Sequence, residues 1–246
     1  MKAIILAAGR GTRMKNLTDE VPKCLVELRG KPLLDRQLEA LRGAGITEIA
    51  IVTGYKNELL SNRGLVVFHN PRWAETNMVS SLVCAQEWLI AEPCIVSYSD
   101  IFYEAPAVMS LISCPASLAV TYDPHWLKLW KKRFDDPLLD AETFRFNSDK
   151  TLAEIGNTPK SDQEVQGQYM GLLRFTPDGW SEVVRIRAGL PASECDRMHM
   201  TETLQKVIEA GRIAIQTIPY ELPWGEIDSA DDLLVYPEPN MPGHIE

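Results

Sequence analysis

Apolar and polar positions along the chain fall into blocks of changing period. Lys2–Ala7 is a nearly continuous apolar run, the pattern of a strand buried on both faces, and Gly9-Arg10-Gly11 breaks it. Leu34, Leu38 and Leu41 then repeat at helical spacing behind Pro32, which suits a first turn, and Gly43 and Gly45 stop that helix. Glu48–Thr53 and Leu65–Phe68 read as a second and a third strand. Met78, Leu82, Ala85 and Leu89 make one helical stripe, with Thr76 or Asn77 as its cap. Cys94–Asp100 is a strand that ends on its acidic residue. This β-α-β-(β)-α-β order predicts an α/β fold, a mostly parallel sheet with helices on both faces. Ligands of such sheets sit outside the carboxyl ends of the strands, so the glycine turn and Asp100 are predicted to face one crevice.

The second half is less regular. Ser117–Tyr122, Thr151–Ile155, Gln168–Phe175 and Ile213–Pro219 read as strands. Leu127–Phe134, Gly179–Ala188, Thr201–Ala210 and Ser229–Tyr236 read as helices. Ser229-Ala230-Asp231-Asp232 resembles a capping box, and the polar stretch Asp149–Val165 is a candidate flap. The 246 residues fit a single domain over 1–236, with a first part to about residue 122 and a lid part over about 123–200. A Pro-rich C-terminal tail follows at 237–246.

Composition narrows the function classes. No stretch approaches the ~18 apolar residues of a membrane span, so a soluble protein is expected. The N-terminal apolar run is too short for a signal-peptide core. Five cysteines (Cys24, Cys84, Cys94, Cys114 and Cys195) form no C-x-x-C pair and are odd in number. They predict reduced thiols and a cytoplasmic protein. The net charge of −9 speaks against nucleic acid as a partner. Residues 1–63, however, carry a balance of +4 against −13 for the remainder, so a local anionic ligand is expected in the N-terminal third.

Leu6-Ala7-Ala8-Gly9-Arg10-Gly11-Thr12-Arg13-Met14 is the sharpest local signal. Glycines after a strand let backbone N–H groups approach phosphate oxygens closely. A dinucleotide fingerprint wants a third small residue where Met14 stands. A Walker A loop wants Gly-Lys-Ser/Thr where the chain has Met14-Lys15-Asn16. What remains is a glycine turn with Arg13 inside it and Lys23 shortly after, in Val21-Pro22-Lys23-Cys24-Leu25. Two fixed cations beside a backbone nest suit a triphosphate. A tight turn with a surface arginine is the better reading of a lone G-x-G, and the weaker one here.

Together these stretches resemble the start of the nucleotidylyltransferases, which join a nucleoside triphosphate to a phosphorylated acceptor. Later landmarks follow in order along nearly the whole chain. The resemblance implies a Rossmann-like nucleotidyltransferase fold with a small acceptor-binding lid. It implies that Arg13 and Lys23 contact the nucleotide phosphates and the reacting phosphoryl groups, with Leu6, Ala8, Gly9, Gly11 and Thr12 around base and phosphates. Asp100 takes the place of the superfamily's metal aspartate. Asp228, in Trp224-Gly225-Glu226-Ile227-Asp228, takes that of its second, and the pair implies Mg²⁺. Either aspartate alone also reads as a helix cap or turn residue. Two carboxylates suit an ion that prefers oxygen ligands and keeps several waters and phosphate oxygens. Such an ion neutralises charge developing at the α-phosphorus. Glu226 is a spare ligand.

Pro71–Gln86 resembles the base-side helix of the phosphocholine cytidylyltransferase group. Asn77 and Ser81, four apart, share a helix face and can address a pyrimidine edge, although Asn77 can also serve only as the cap. CTP follows from the likeness alone. Asp123–Phe144 places Trp126 and Trp130 on one helical face beside Lys131, Lys132 and Arg133. It resembles relatives that activate phosphocholine, 2-aminoethylphosphonate or, nearest, the phosphoglutamine of capsular phosphoramidate pathways, for surface polysaccharides. On that likeness Arg133 pairs with an acceptor anion and Glu142 with its amine or amide. Trp126 and Tyr169 then wall a cationic acceptor, with packing as the alternative for at least one tryptophan. His125 and His199 have no ligand partners at useful spacing and read as structural or surface residues.

The expected reaction is a single in-line displacement in which an acceptor phosphate oxygen attacks the α-phosphorus of CTP and pyrophosphate leaves. A phosphate monoester has a second pKa of about 6, so the nucleophile is already ionised and needs no general base. The rivals are a sugar-1-phosphate nucleotidylyltransferase using UTP, GTP or dTTP, and a metal-dependent glycosyltransferase. The second has no use for Arg13 and Lys23 around a leaving pyrophosphate. A nucleotide sensor without turnover is a third rival, disfavoured because every expected charged position is filled. Acceptor and oligomeric state stay open, a homodimer included.

Overall fold

Ile4 and Leu6 of the first strand pack into one core, and Ala3, Ile5 and Ala7 into another. Successive side chains of a strand point to opposite faces, so an apolar run of this kind needs cover on both sides. In the computed structural model, which describes residues 1–236, that cover comes from helices. The chain runs from β1 (Lys2–Ala7) through the short pair β2 (Glu27–Leu28) and β3 (Lys31–Pro32) into α1 (Leu33–Gly43). β4 (Ile49–Thr53), β5 (Val66–His69), α2 (Met78–Val83), α3 (Gln86–Ala91), β6 (Cys94–Tyr98), β7 (Ile101–Phe102) and α4 (Ala105–Ser113) follow. Next come β8 (Leu118–Asp123), α5 (Trp126–Arg133), β9 (Phe144–Phe146), β10 (Leu152–Ile155), β11 (Gln168–Phe175) and α6 (Pro177–Ala188). The chain continues through α7 (Ala192–Arg197), α8 (Met200–Ala210), β12 (Ile215–Pro219), β13 (Gly225–Glu226) and α9 (Asp232–Val235).

Seven strands form one sheet in the order β12-β8-β11-β6-β1-β4-β5. β11 runs antiparallel to both β6 and β8, and every other neighbouring pair is parallel. The carboxyl ends of six strands and the amino end of β11 therefore share one edge. Buried residues of α1, α4 and α5 cover one face, and those of α2, α3, α6 and α8 cover the other. The expected mixed, mostly parallel sheet with helices on both faces is the fold observed. No helix among the described residues is long and apolar enough to cross a membrane.

Several local expectations are corrected. The single stripe from Met78 to Leu89 is carried by two helices, because the chain leaves helical geometry at Ala85 (φ −100°, ψ 15°). The same core still takes up Leu82, Ala85 and Leu89 across the break. α4 has no counterpart in the sequence reading, since the exposed Met109 puts an apolar residue outside the buried set Ala107, Val108 and Leu111 and blurs the stripe. The helix expected over Ser229–Tyr236 shrinks to α9. The Asp232 carboxylate is turned back to accept from the N–H groups of Asp228 and Ser229, which is the acidic half of the capping box. The flap expected over Asp149–Val165 is instead tied down. β9 and β10 pair as a hairpin, Leu152 and Ile155 are buried, and the Lys150 carbonyl accepts from Thr217 N and Oγ1. The tail at 237–246 lies outside the described residues.

Cys24 and Cys94 are buried, and burial pushes both thiols up to about 12. At pH 8 this leaves about 10⁻⁴ of each as the reactive thiolate. A chromogenic disulfide reagent at pH 8 is expected to leave both unmodified in the native protein and to titrate both in denaturant. Modification of either in the native state, located by peptide mass mapping, would contradict this packing.

Candidate active site

The turn after β1 is shaped by what must pass beside it. Gly11 has φ +70°, and a Cβ there would lie 2.9 Å from Lys23 Cδ. A side chain at 11 would thus be strained and would collide with the lysine stem. Lys23 opens a short 3-10 turn behind Pro22 and is 8% exposed. Its Nζ donates to Asp100 Oδ2 at 2.8 Å and to Asp228 Oδ1 at 2.5 Å. Arg13 Nη2 lies 3.1 Å from the same Asp228 oxygen.

A two-strand ribbon brings the acids together. Asp100 directly precedes β7, which pairs antiparallel with β13, and Ile227 N donates to Asp100 O at 2.9 Å. Residues 100 and 226–228 are thereby neighbours despite their distance in sequence. Carboxylate oxygens of Asp100, Glu226 and Asp228 lie within 4.8 Å of one another. Asp100 Oδ1 is buried without a hydrogen-bond partner among the described residues. An orphaned carboxylate oxygen beside two further carboxylates is the donor set that a hard divalent cation requires. The residues fit such an ion, with Glu226 promoted from spare ligand to member of the set. The cap role open to Asp228 falls to Asp232 instead, which frees Asp228 for Lys23.

Electrostatics follow from this crowding. Burial pulls the Lys23 ammonium down, but Asp100 and Asp228 outweigh it and hold the group above its ordinary value. Burial works against the Asp228 carboxylate too. A hydrogen bond with Glu226 and the charge of Lys23 overcome that effect and hold Asp228 well below the usual range. Glu226 is driven far up by burial and by the carboxylates of Asp228 and Asp100.

Two cavities meet at this cluster. The first, about 410 Å³, is lined by Leu6, Ala8, Gly9, Gly11 and Thr12, together with Arg13, Lys23 and Asp100. Asn77 and Ser81 line it as well, and both are also engaged structurally. Asn77 Oδ1 caps α2 by accepting from Met78 N at 2.7 Å, and Ser81 Oγ accepts from Asn70 Nδ2 at 2.9 Å. The second cavity, about 200 Å³, is lined by Glu142, Tyr169, Glu226 and Asp228, and Arg13 borders both. A larger apolar cavity of about 690 Å³, lined by Phe102, Trp224 and Tyr236, touches none of the clustered acids, so size does not mark the site.

Two predicted acceptor residues are corrected. Trp126 is 4% exposed and packs in the core, with Nε1 donating to Val165 O at 2.9 Å. An amphipathic helix turns its aromatic stripe inward, and Trp126 and Trp130 form that stripe. Arg133 has no exposed side-chain surface and is taken up by internal acids, Asp232 at 2.8 Å and Glu226 at 3.3 Å. Sequence reasoning missed Trp73 and Tyr98 in the first cavity and Asp140 and Gln168 in the second. It also set aside His199, which lines the second cavity with Nε2 3.0 Å from Asn77 Nδ2. His125 is a surface residue, 3.7 Å from Glu221. Spacing could not have found most of these positions, because loops deliver Trp73, Asp140 and His199 and the antiparallel β11 delivers Gln168, whereas Tyr98 ends β6 two residues before Asp100.

Comparison with known proteins gives the following. Residues 3–143 match the MobA-like NTP transferase domain. Over 96% of its length the chain is 38% identical to the CTP:phosphoglutamine cytidylyltransferase of Campylobacter jejuni, and it covers 98% of that protein. It is 42% identical over 93 residues to the choline-phosphate cytidylyltransferase of Streptococcus pneumoniae, spanning 36% of this chain and 41% of that one. The solved structure of the inositol-1-phosphate CTP transferase from T. maritima superposes with a TM-score of 0.74. It covers 94% of this chain and 90% of its own at 20% identity, a likeness of fold.

Replacing Trp126 with Phe removes the donor to a buried carbonyl and keeps most of the ring volume. An unsatisfied buried acceptor costs about 1–3 kcal/mol, which should appear as a lowered urea midpoint. An unchanged midpoint would return Trp126 to the role of cavity wall.

Proposed function

The chain belongs to the MobA-like NTP transferase domain family, and on that premise we propose that it transfers CMP from CTP to a small phosphorylated acceptor. The acceptor is of the phosphoglutamine, phosphocholine or aminoethylphosphonate type, and the product activates a substituent for surface polysaccharide. One observation carries this reading. Lys23, Asp100 and Asp228 meet where the two cavities join, in a chain similar over almost its whole length to a CTP:phosphoglutamine cytidylyltransferase. The nucleotide takes the larger of the two cavities and the acceptor the smaller. The five free cysteines suit work in the reducing cytoplasm.

Each residue has a task in this reading. Leu6, Ala8, Gly9, Gly11 and Thr12 surround base and phosphates. Ser81, whose oxygen already accepts from Asn70, keeps its hydroxyl proton for an acceptor atom on the pyrimidine. Trp73 adds an apolar surface beside the base. Arg13, bordering both cavities, meets the phosphates of both substrates. Glu142 and Tyr169 contact the rest of the acceptor.

An acceptor phosphate oxygen forms a bond to the α-phosphorus, and the bond from that phosphorus to the bridging oxygen of pyrophosphate breaks. The nucleophile arrives ionised, so no side chain has to remove a proton. Catalysis is then positioning and charge neutralisation by Lys23 and Arg13. Asp100, Asp228 and Glu226 would hold Mg²⁺, which supplies neutralisation of charge on the phosphates when bound.

Pyrophosphate release, followed across CTP, UTP, GTP and dTTP with each acceptor type and a sugar 1-phosphate, tests the reading. Release is expected with CTP and a non-sugar acceptor, and release with a sugar 1-phosphate alone would replace it. Asp100→Asn is expected to abolish Mg²⁺-dependent turnover in a protein that still folds, with a lowered melting temperature in EDTA because buried Lys23 keeps only Asp228 as a charged partner. Near-normal rates in that variant would remove the metal assignment. Lys23→Ala is expected to lower kcat about 10²–10³-fold, more than it raises KM for CTP. A change confined to KM would make Lys23 a ground-state contact.

A further inference from the structure

Arg133 is the cation that the acceptor assignment left unexplained. It ends α5, its side chain has no exposed surface, and its guanidinium lies 4.8 Å from the Trp130 ring and 5.0 Å from that of Phe134. Nε and Nη2 donate to the two oxygens of Asp232 at 2.8 and 3.3 Å. Nη1 donates to Glu226 Oε2 at 3.3 Å, and Nη2 lies 3.9 Å from Asp228 Oδ2. Asp232 passes this hold onward. Its Oδ2 accepts from Asp228 N at 2.9 Å, Ser229 N at 2.8 Å and Ser229 Oγ at 3.1 Å.

Two of the three clustered carboxylates are thus fixed from behind by one buried guanidinium. Glu226 is gripped directly. The backbone that carries Asp228 is gripped through Asp232. A planar fork with several donors can do both at once, whereas an ammonium on a flexible stem cannot. Groups that orient metal-binding carboxylates commonly matter about 10–100-fold in metal affinity or activity.

We infer that Arg133 and Asp232 are positioning residues for the divalent-cation site, setting the geometry of Glu226 and Asp228 rather than touching either substrate. This rests on the nucleotidyltransferase reading for its consequence in turnover, and on the carboxylate cluster alone for its consequence in metal binding. It assigns to α5, which the sequence placed in the acceptor lid, a share in building the metal site.

The test is Mn²⁺ binding, read by loss of the free-ion electron paramagnetic resonance signal, in the whole protein and its Arg133→Lys and Asp232→Asn variants. Arg133→Lys keeps the charge and loses the fork, so a weakened affinity reports geometry and not electrostatics. Both variants are expected to bind Mn²⁺ about 10-fold more weakly or worse, and the double variant no more weakly than the worse single one, since both act through one clamp. In turnover, kcat should fall about 10–100-fold, with acceptor KM and the affinity for CTP in EDTA within twofold of wild type. Unchanged Mn²⁺ affinity in both variants would overturn the inference. So would a raised acceptor KM at unchanged Mn²⁺ affinity, which would give Arg133 to the acceptor. If Arg133→Lys fails to fold, Asp232→Asn decides alone. The Mn²⁺ arm needs no turnover, so a wild-type protein that binds Mn²⁺ yet releases no pyrophosphate from CTP would sink the function reading and leave this one standing.

Discussion

A buried ammonium must be matched by negative charge, and Lys23 is matched twice, by Asp100 and by Asp228. Leaving one partner of such a group uncompensated costs about 3–5 kcal/mol, so the three side chains hold one another in place. They come from the short turn at Lys23–Leu25, the end of β6 and the segment just past β13. Lys23 is therefore a structural tie among three remote segments as well as a cation lining the cavity beside the glycine turn. The rest of the carboxyl edge is arranged around it. Gly11 clears its path, and Arg13 reaches over to the same Asp228 oxygen.

The sheet explains why one edge can serve two cavities. In a wholly parallel sheet every strand would offer only its carboxyl end there. β11 runs the other way between β6 and β8, so Gln168 and Tyr169 enter at the edge from its amino end. Gly171 sits at φ +75°, and a Cβ there would lie 2.7 Å from Tyr98 Cδ2. It interrupts the β8–β11 register just past Tyr169 and lets the two tyrosines stand edge to face. The smaller cavity thus depends on one reversed strand and one glycine. The larger is lined at its sheet edge by the carboxyl ends of the parallel β1 and β6.

Charge at the site is layered. Lys23 and Arg13 stand on the cavity side of the carboxylates and Arg133 behind them. The front cations are where a phosphate group would meet them. The rear one is saturated by Asp232 and Glu226 and shut off from solvent, so it can position but cannot bind. Residues of the same type, in one stretch of positive charge, thus end in different work because of which face of α5 each occupies. Lys131 and Lys132 of that stretch face solvent.

What the sequence by itself determined follows from local rules. The apolar run of β1, the stripe of α1, the Asn77 cap and the glycine turn are each decided within a few residues, because strand period, helix period and turn sterics act over that range. So the α/β layout was legible, as were Arg13, Lys23, Asp100 and Asp228 as charged residues at strand ends or turns. Packing decided the rest. That Trp126 faces the core, that Arg133 is spent on internal acids, and that Glu226 joins the cluster all depend on partners about 40 to 130 residues away. A side chain's charge and shape are written in the sequence, but its partner is chosen by the tertiary contact that desolvates it. Only the folded chain decides which cation remains free for a ligand.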